Sequence, residues 1–325
     1  MSFLLTLRAR LSLAALLLPF LLITGCGGDL GTPPIDGKNS ATVTPPADTA
    51  DAADDTATAT DGTVEEVADA ITADEGDVAL KAYGPPSSNF DLTHWYLTLP
   101  SADTVMPVEL NSGYQYADVF YTDAKTGGMV FRCPNLAGTT TNSTHSRTEL
   151  REMLNPDNSR LTDPSNNWTT AQNGTMKAAV RIDKASTTGT ANVGNVVIGQ
   201  IHGPSTEVVR LHFYKKPTET TGRLYAAMED LSGHGVHSPD LVSNATGDGI
   251  RLGERFTYVI RLAGTQLTIY IGRVNHTTVK YTTAIDPGYV GQNLYFKAGV
   301  YNQDNTGDPS DYVQATFFKL MHTHP

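Results

Sequence analysis

From Pro86 onward the sequence sustains no helical period, and this constrains the fold more than any other feature. Short runs of β-branched, aromatic and aliphatic residues recur instead, separated by Gly, Asn, Asp and Pro. A strand-like opening, Phe90-Asp91-Leu92-Thr93-His94-Trp95, is followed by clear runs at 176–182, 193–202, 208–215, 223–229, 256–262, 266–271, 279–283, 295–302 and 313–321. Gly264-Thr265, between two of these runs, has the chemistry of a two-residue hairpin turn. No internal repeat is visible. Strands spread over positions 86–325 predict an all-β fold, a sandwich or β-jelly roll.

Three of the runs carry polar side chains in alternation. Successive side chains on a strand point to opposite faces. In Arg147-Thr148-Glu149-Leu150-Arg151-Glu152, the residues Arg147, Glu149 and Arg151 therefore share one face. In Gln200-Ile201-His202, Gln200 and His202 share a face. In the run from Tyr295 to Gln303, the residues Tyr295, Lys297, Tyr301 and Gln303 share one, with Phe296, Ala298 and Val300 opposite. Cations, an amide, an imidazole and phenols on one surface suit a long anionic ligand, and they include candidate proton-transfer groups.

The net charge of −11 is unevenly placed. Positions 26–85 hold 13 acidic and 2 basic residues, while positions 86–325 are nearly balanced, with 21 acidic and 19 basic. A near-neutral domain with its arginines gathered in one motif can still bind a polyanion locally. Basic blocks and nucleic-acid motifs are lacking, so nucleic acid is not an expected partner.

The first 25 residues read as a signal peptide. Arg8 and Arg10 precede an apolar stretch too short to span a membrane comfortably. It ends in Ile23-Thr24-Gly25-Cys26, which resembles a bacterial lipoprotein lipobox, so Cys26 is expected to carry lipid. Gly27 follows, and the absence of Asp there favours the outer membrane. Positions 26–85, rich in Ala, Asp, Thr and Pro, cannot bury enough apolar surface to offset their ordering entropy. They read as an acidic, extended tether to the folded domain at 86–325. Cys133 then has no intrachain partner and is expected as a small buried apolar residue.

The three polar blocks, taken in order, resemble the alginate lyases of polysaccharide lyase family 7. That family's signatures have the forms R-(S/T)-E-L-R, Q-(I/V)-H and Y-F-K-x-G-x-Y-x-Q. The resemblance implies a jelly roll with an open cleft on its concave sheet, a monomer, and cleavage of a 4-linked uronan by β-elimination. It implies no cofactor and no metal. The catalytic set it implies is Arg147 or Arg151, Gln200, His202 and Tyr301. Glu149, Lys297, Tyr295 and Gln303 join whichever arginine remains as substrate-binding residues. An Ile at position 201 leans toward guluronate-containing blocks.

The residue types fit that chemistry on their own. Removing the carbon-5 proton beside a carboxylate builds enolate-like charge, which donors and a cation must stabilise. Arg offers a bidentate fork and Gln an amide donor. A base takes the proton and an acid protonates the departing oxygen. His202 and a tyrosine can divide these tasks. A tyrosine, with an ordinary pKa of about 10, is a natural acid. Two other readings compete: a solvated salt-bridge ladder on Arg147, Glu149 and Arg151, and a non-catalytic carbohydrate-binding jelly roll. A lyase of another polyuronate would carry the same chemistry. His94 and Trp95 read as packing residues, and His322 and His324 as part of a frayed tail. His212, His234 and His237 lack metal-ligand spacing.

Overall fold

Alternation along the strands resolves into two facing sheets. The computed structural model describes residues 79–231, 236–245 and 247–325. Cys26, the signal segment and nearly all of the tether lie outside these residues, as does His234. The first sheet runs, in spatial order, β10 (Val236–His237), β9 (Arg223–Glu229), β8 (Glu207–Tyr214), β7 (Asn195–His202), β15 (Tyr295–Asn302), β5 (Arg147–Glu152), β1 (Trp95–Thr98) and β2 (Thr104–Val105), with β11 (Asp240–Val242) also on β9. The second runs β14 (Val279–Ala284), β13 (Gln266–Arg273), β12 (Arg255–Ala263), β6 (Gly174–Lys184), β16 (Tyr312–Thr323), β4 (Met129–Pro134) and β3 (Phe120–Thr122). Among the described residues every strand pairing is antiparallel, and sequence neighbours often lie in different sheets, as in a β-jelly roll. Among the described residues a single short α-helix, α1 (Pro107–Asn111), packs beside β1.

The core lies between the sheets. Phe296, Ala298 and Val300 of β15, Leu150 of β5 and Ile201 of β7 point into it, against Phe131, Phe317 and Tyr258 of the second sheet. The polar partners of the alternation therefore face away from the core, as the sequence predicts. Thr148 points inward too and donates its hydroxyl to Arg132 O at 2.6 Å, satisfying a group buried between sheets. Cys133 is wholly buried, and burial pushes its thiol pKa up, which makes it inert as a nucleophile. The β12–β13 hairpin turns at Gly264-Thr265, where Gly264 takes φ +57°, a conformation that glycine enters freely.

Two glycines let backbone pass where a side chain would not fit. At Gly299, φ is +138° and an added Cβ would lie 2.6 Å from Thr148 O of β5. Here β15 carries one residue more than β7, between Ala298 and Tyr301, while its register with β5 stays regular. This is a β-bulge, and it sets where Tyr301 emerges. At Gly199, a Cβ would lie 2.8 Å from the Tyr258 hydroxyl, which donates to Ile198 O at 2.8 Å.

Both ends of the described region depart from expectation. Packing begins upstream of Pro86: Leu80 lies against the core, and Lys81 exchanges two hydrogen bonds with the Asn89 amide. At the other end, His322 and His324 are not frayed. β16 runs to Thr323, and both imidazoles reach the buried carboxylate of Glu152, with His324 Nε2 at 2.6 Å and His322 Nε2 at 3.4 Å. The other Glu152 oxygen accepts from Trp168 Nε1 at 2.8 Å and Phe296 N at 2.9 Å.

Candidate active site

Glu149 forms the centre of the site. Its strand β5 lies beside β15, and it is 1% exposed. One carboxylate oxygen accepts from both Arg147 Nη1 and Lys297 Nζ, each at 2.9 Å. The other accepts from Gln200 Nε2. Burial works to raise the Glu149 pKa, but Lys297 and Arg147 outweigh it and hold the group ionised. Two cations around one carboxylate leave a surplus positive charge in a buried place. Such a charge is costly unless an anion joins it. Burial, aided by Arg147, lowers the Lys297 pKa to about 8 despite Glu149.

His202 stands on one side of this centre. Its Nδ1 lies 2.5 Å from Gly203 O, which can only accept, so Nδ1 carries a hydrogen and Nε2 a lone pair. Tyr295 stacks on the ring at 5.0 Å between centroids, with its hydroxyl 3.1 Å from Nδ1. Glu207 Oε1 lies 3.6 Å from Nε2. Burial, then the charge of Lys297, pulls the His202 pKa down to about 4, so the imidazole is neutral at neutral pH. Burial pushes the Tyr295 phenol up to about 12, which keeps it protonated.

Tyr301 stands on the other side. The Arg147 guanidinium covers its ring at 3.8 Å. The hydroxyl meets Ser143 Oγ at 3.0 Å, and His145 approaches the ring edge-on. The structure thus joins Arg147, Glu149, Gln200 and Lys297 into one network with Tyr301 at one end and His202 beside the other.

Arg151 and Gln303 stand apart from that network. Arg151 covers the Tyr295 ring at 3.8 Å and donates to Asn167 Oδ1 at 2.6 Å, away from Glu149. Of the two arginines, Arg147 is therefore the one coupled to Tyr301. Gln303 turns back, donating from Nε2 to Tyr301 O at 3.3 Å. Gln200, expected as a free amide donor, has one hydrogen committed to Glu149, while its Oε1 has no partner.

Sequence reasoning missed Ser143, Asn167 and Glu207. Ser143 lies in a Ser/Thr-rich loop before β5 that reads as filler. Glu207 pairs with His202 only through the β7–β8 register. His212, on the same sheet, is held by Asn195 Oδ1 and the Tyr225 hydroxyl, each at 3.0 Å.

A jelly roll that buries surplus cations between a phenol and a neutral imidazole has the parts of a polysaccharide lyase acting on an acidic glycan. Comparison with known proteins narrows this. The alginate lyase family model matches residues 90–324. An alginate lyase of Klebsiella pneumoniae is 36% identical over 280 residues, covering 74% of this chain and 91% of that one. The crystal structure of the alginate lyase from Klebsiella pneumoniae superposes with a TM-score of 0.69 at 35% identity, over 74% of this chain and 99% of that one. The family 7 alginate lyase A1-II′, solved in complex with substrate, gives 0.61 at 27% identity, over 74% and 97%. The chain belongs to the alginate lyase family.

Proposed function

We propose that this chain depolymerises alginate by β-elimination on the concave sheet. The uronate carboxylate takes the place beside Arg147, Lys297 and Gln200, where it neutralises the surplus charge around Glu149. The pair of cations held on one buried carboxylate is the observation that carries the reading. These groups stabilise the enolate-like charge as the carbon-5 proton leaves. The electron pair left on carbon 5 forms the carbon 4–carbon 5 double bond, and the bond from carbon 4 to the glycosidic oxygen breaks. Tyr301 gives its proton to the departing oxygen.

The base differs with the sugar. In a mannuronate unit the carbon-5 proton and the leaving oxygen lie on the same side, so one group can act as base and then acid. In a guluronate unit they lie on opposite sides, and His202 Nε2, with its free lone pair, takes the proton. Arg151, Tyr295 and Gln303 line the substrate path. The Gln200-Ile201-His202 block supports a lean toward guluronate-containing blocks. We further propose that Cys26 is lipidated and tethers the domain to the outer membrane; Cys26→Ser should release the protein into the soluble fraction.

The decisive experiment gives the protein polymannuronate, polyguluronate and mixed alginate and follows ultraviolet absorbance. Elimination leaves an unsaturated sugar that absorbs, whereas hydrolysis and binding do not. Binding without new absorbance on any block would leave a carbohydrate-binding jelly roll.

A further inference from the structure

The Ser143 hydroxyl has four polar neighbours and three hydrogen-bonding places. Arg147 Nη2 donates to Oγ at 3.1 Å, and His145 N donates to it at 3.2 Å. A hydroxyl oxygen has two lone pairs, and these donors fill both. Its one hydrogen remains, with two acceptors in reach: His145 O at 2.9 Å and the Tyr301 oxygen at 3.0 Å. With no lone pair left, Ser143 cannot also accept from Tyr301. A bond between the two hydroxyls can therefore run only from Ser143 to Tyr301, in competition with the bond to His145 O. Among the described residues, Ser143 is the one hydrogen-bond partner of the Tyr301 hydroxyl. The Tyr301 hydrogen is thus left without a protein acceptor and is free for a ligand.

We infer that Ser143 is a positioning residue that turns the Tyr301 hydroxyl hydrogen toward the leaving oxygen of the substrate. The inference rests on Tyr301 being the acid. Before transfer, the Ser143 hydrogen turns from His145 O to the Tyr301 oxygen and leaves the phenolic hydrogen aimed outward. As the carbon–oxygen bond breaks, that hydrogen passes to the departing oxygen. The phenolate that remains keeps the Ser143 hydrogen bond, and the Arg147 charge lies over its ring. No proton leaves Ser143, so the transfer balances between tyrosine and sugar. Arg147 has two tasks: one nitrogen fills a Ser143 lone pair and another binds Glu149.

The test uses the whole protein with Ser143→Ala, Ser143→Gly and Ser143→Thr, alone and combined with Tyr301→Phe. The Ala and Gly variants should lose about tenfold in kcat, the scale of one neutral hydrogen bond. KM and melting temperature should stay close to those of the parent. Ser143→Thr keeps the hydroxyl and should restore kcat. In the Tyr301→Phe background, Ser143→Ala should cost nothing further, because its effect passes through the phenol. Three outcomes overturn the inference: unchanged kcat in both Ala and Gly variants, a Thr variant as impaired as the Ala variant, or an undiminished further loss in the Phe background. Near-parental activity in Tyr301→Phe alone would instead remove the assignment of Tyr301 as acid, and this inference with it.

Discussion

His202 and Tyr301, the proposed guluronate base and leaving-group acid, are linked through one carboxylate: Glu149 binds Arg147, which covers the Tyr301 ring at 3.8 Å, and also binds Lys297, whose charge depresses the His202 pKa. The two side chains are therefore not independent. A change at Glu149 should disturb both.

Tyr301→Phe keeps the ring under Arg147 and removes only the hydroxyl. It should reduce turnover on polymannuronate and polyguluronate by about a hundred- to ten-thousand-fold, the usual contribution of a general acid or base. Oligosaccharide binding should stay nearly intact. Retention of more than about a tenth of the rate would show that another group is the acid, and Tyr295 would be tested next.

His202 must be neutral to accept a proton. Burial and Lys297 pull it down to about 4, while Glu207, Glu149 and Gly203 O work in the opposite direction. On polyguluronate, kcat/KM should therefore be flat through neutral pH and fall as pH drops through about 4. An acid limb at the ordinary histidine value of about 6.5 would show that the ring is not desolvated as the structure requires. His202→Ala should harm polyguluronate cleavage more than polymannuronate cleavage.

Lys297 should lose its charge as pH rises through about 8. The free enzyme then loses its surplus cation, and affinity for polyuronate should weaken on the alkaline side. A bound carboxylate raises the lysine pKa, so binding near pH 8 should take up protons, measurable by calorimetry in buffers of different ionisation enthalpy. Binding measured directly should also weaken with salt, since the long-range attraction of the polyanion is screened beyond roughly 8 Å at physiological ionic strength, while the buried contacts themselves are screened much less. Affinity indifferent to both pH and salt would make these cations structural.

The His324–Glu152 contact has its own pH signature. Burial opposes it, but Glu152 raises the His324 pKa above 6.5, so that part of the stability is complete below 6.5 and fades as pH rises through the raised value. Burial likewise opposes ionisation of Glu152, yet its hydrogen bonds to His324 and Phe296 N and the two histidine charges lower its pKa below 4.5. Its contribution is complete above 4.5 and fades as pH falls through the lowered value. His324→Ala should therefore reduce the unfolding free energy most between these two ordinary values, by about 1.5–3 kcal/mol for a hydrogen bond to a charged group. An equal loss at pH 9 would mean that packing, not charge, holds the end of β16.

A chain starting at Ala79 should keep the stability and specific activity of the full protein, while one starting at Pro86 should melt lower. Leu80 packs, partly buried, on the core and would be lost in the second, at a cost below the ~1.5–3 kcal/mol of a fully buried leucine. Equal melting temperatures would put the functional boundary at Pro86.

The alternation at Arg147, Glu149 and Arg151, at Gln200 and His202, and at Tyr295 and Lys297 was enough to place these side chains on one sheet face. What alternation cannot show is which neighbour each one meets. Gln200 and Glu149 are joined through β15 lying between their strands, and Arg151 turns from Glu149 to Asn167 in a distant loop. His322 and His324 read as a loose tail because their partner, Glu152, is far away in sequence and becomes a neighbour only when β16 folds over β5's end. Ser143 was invisible for the opposite reason: it is close in sequence, but its value lies in a count of lone pairs that only coordinates supply.

The narrow passage at Gly299 limits how this cleft can be re-engineered. A library that randomises the cleft floor would waste every non-glycine codon at 299, because the first carbon of any side chain would meet Thr148 O at 2.6 Å. Diversity is better directed to Tyr96 on β1, beyond β5, a partly exposed residue whose ring lies 5.5 Å from the Arg151 guanidinium. There a changed side chain alters what the cleft admits without moving Tyr301.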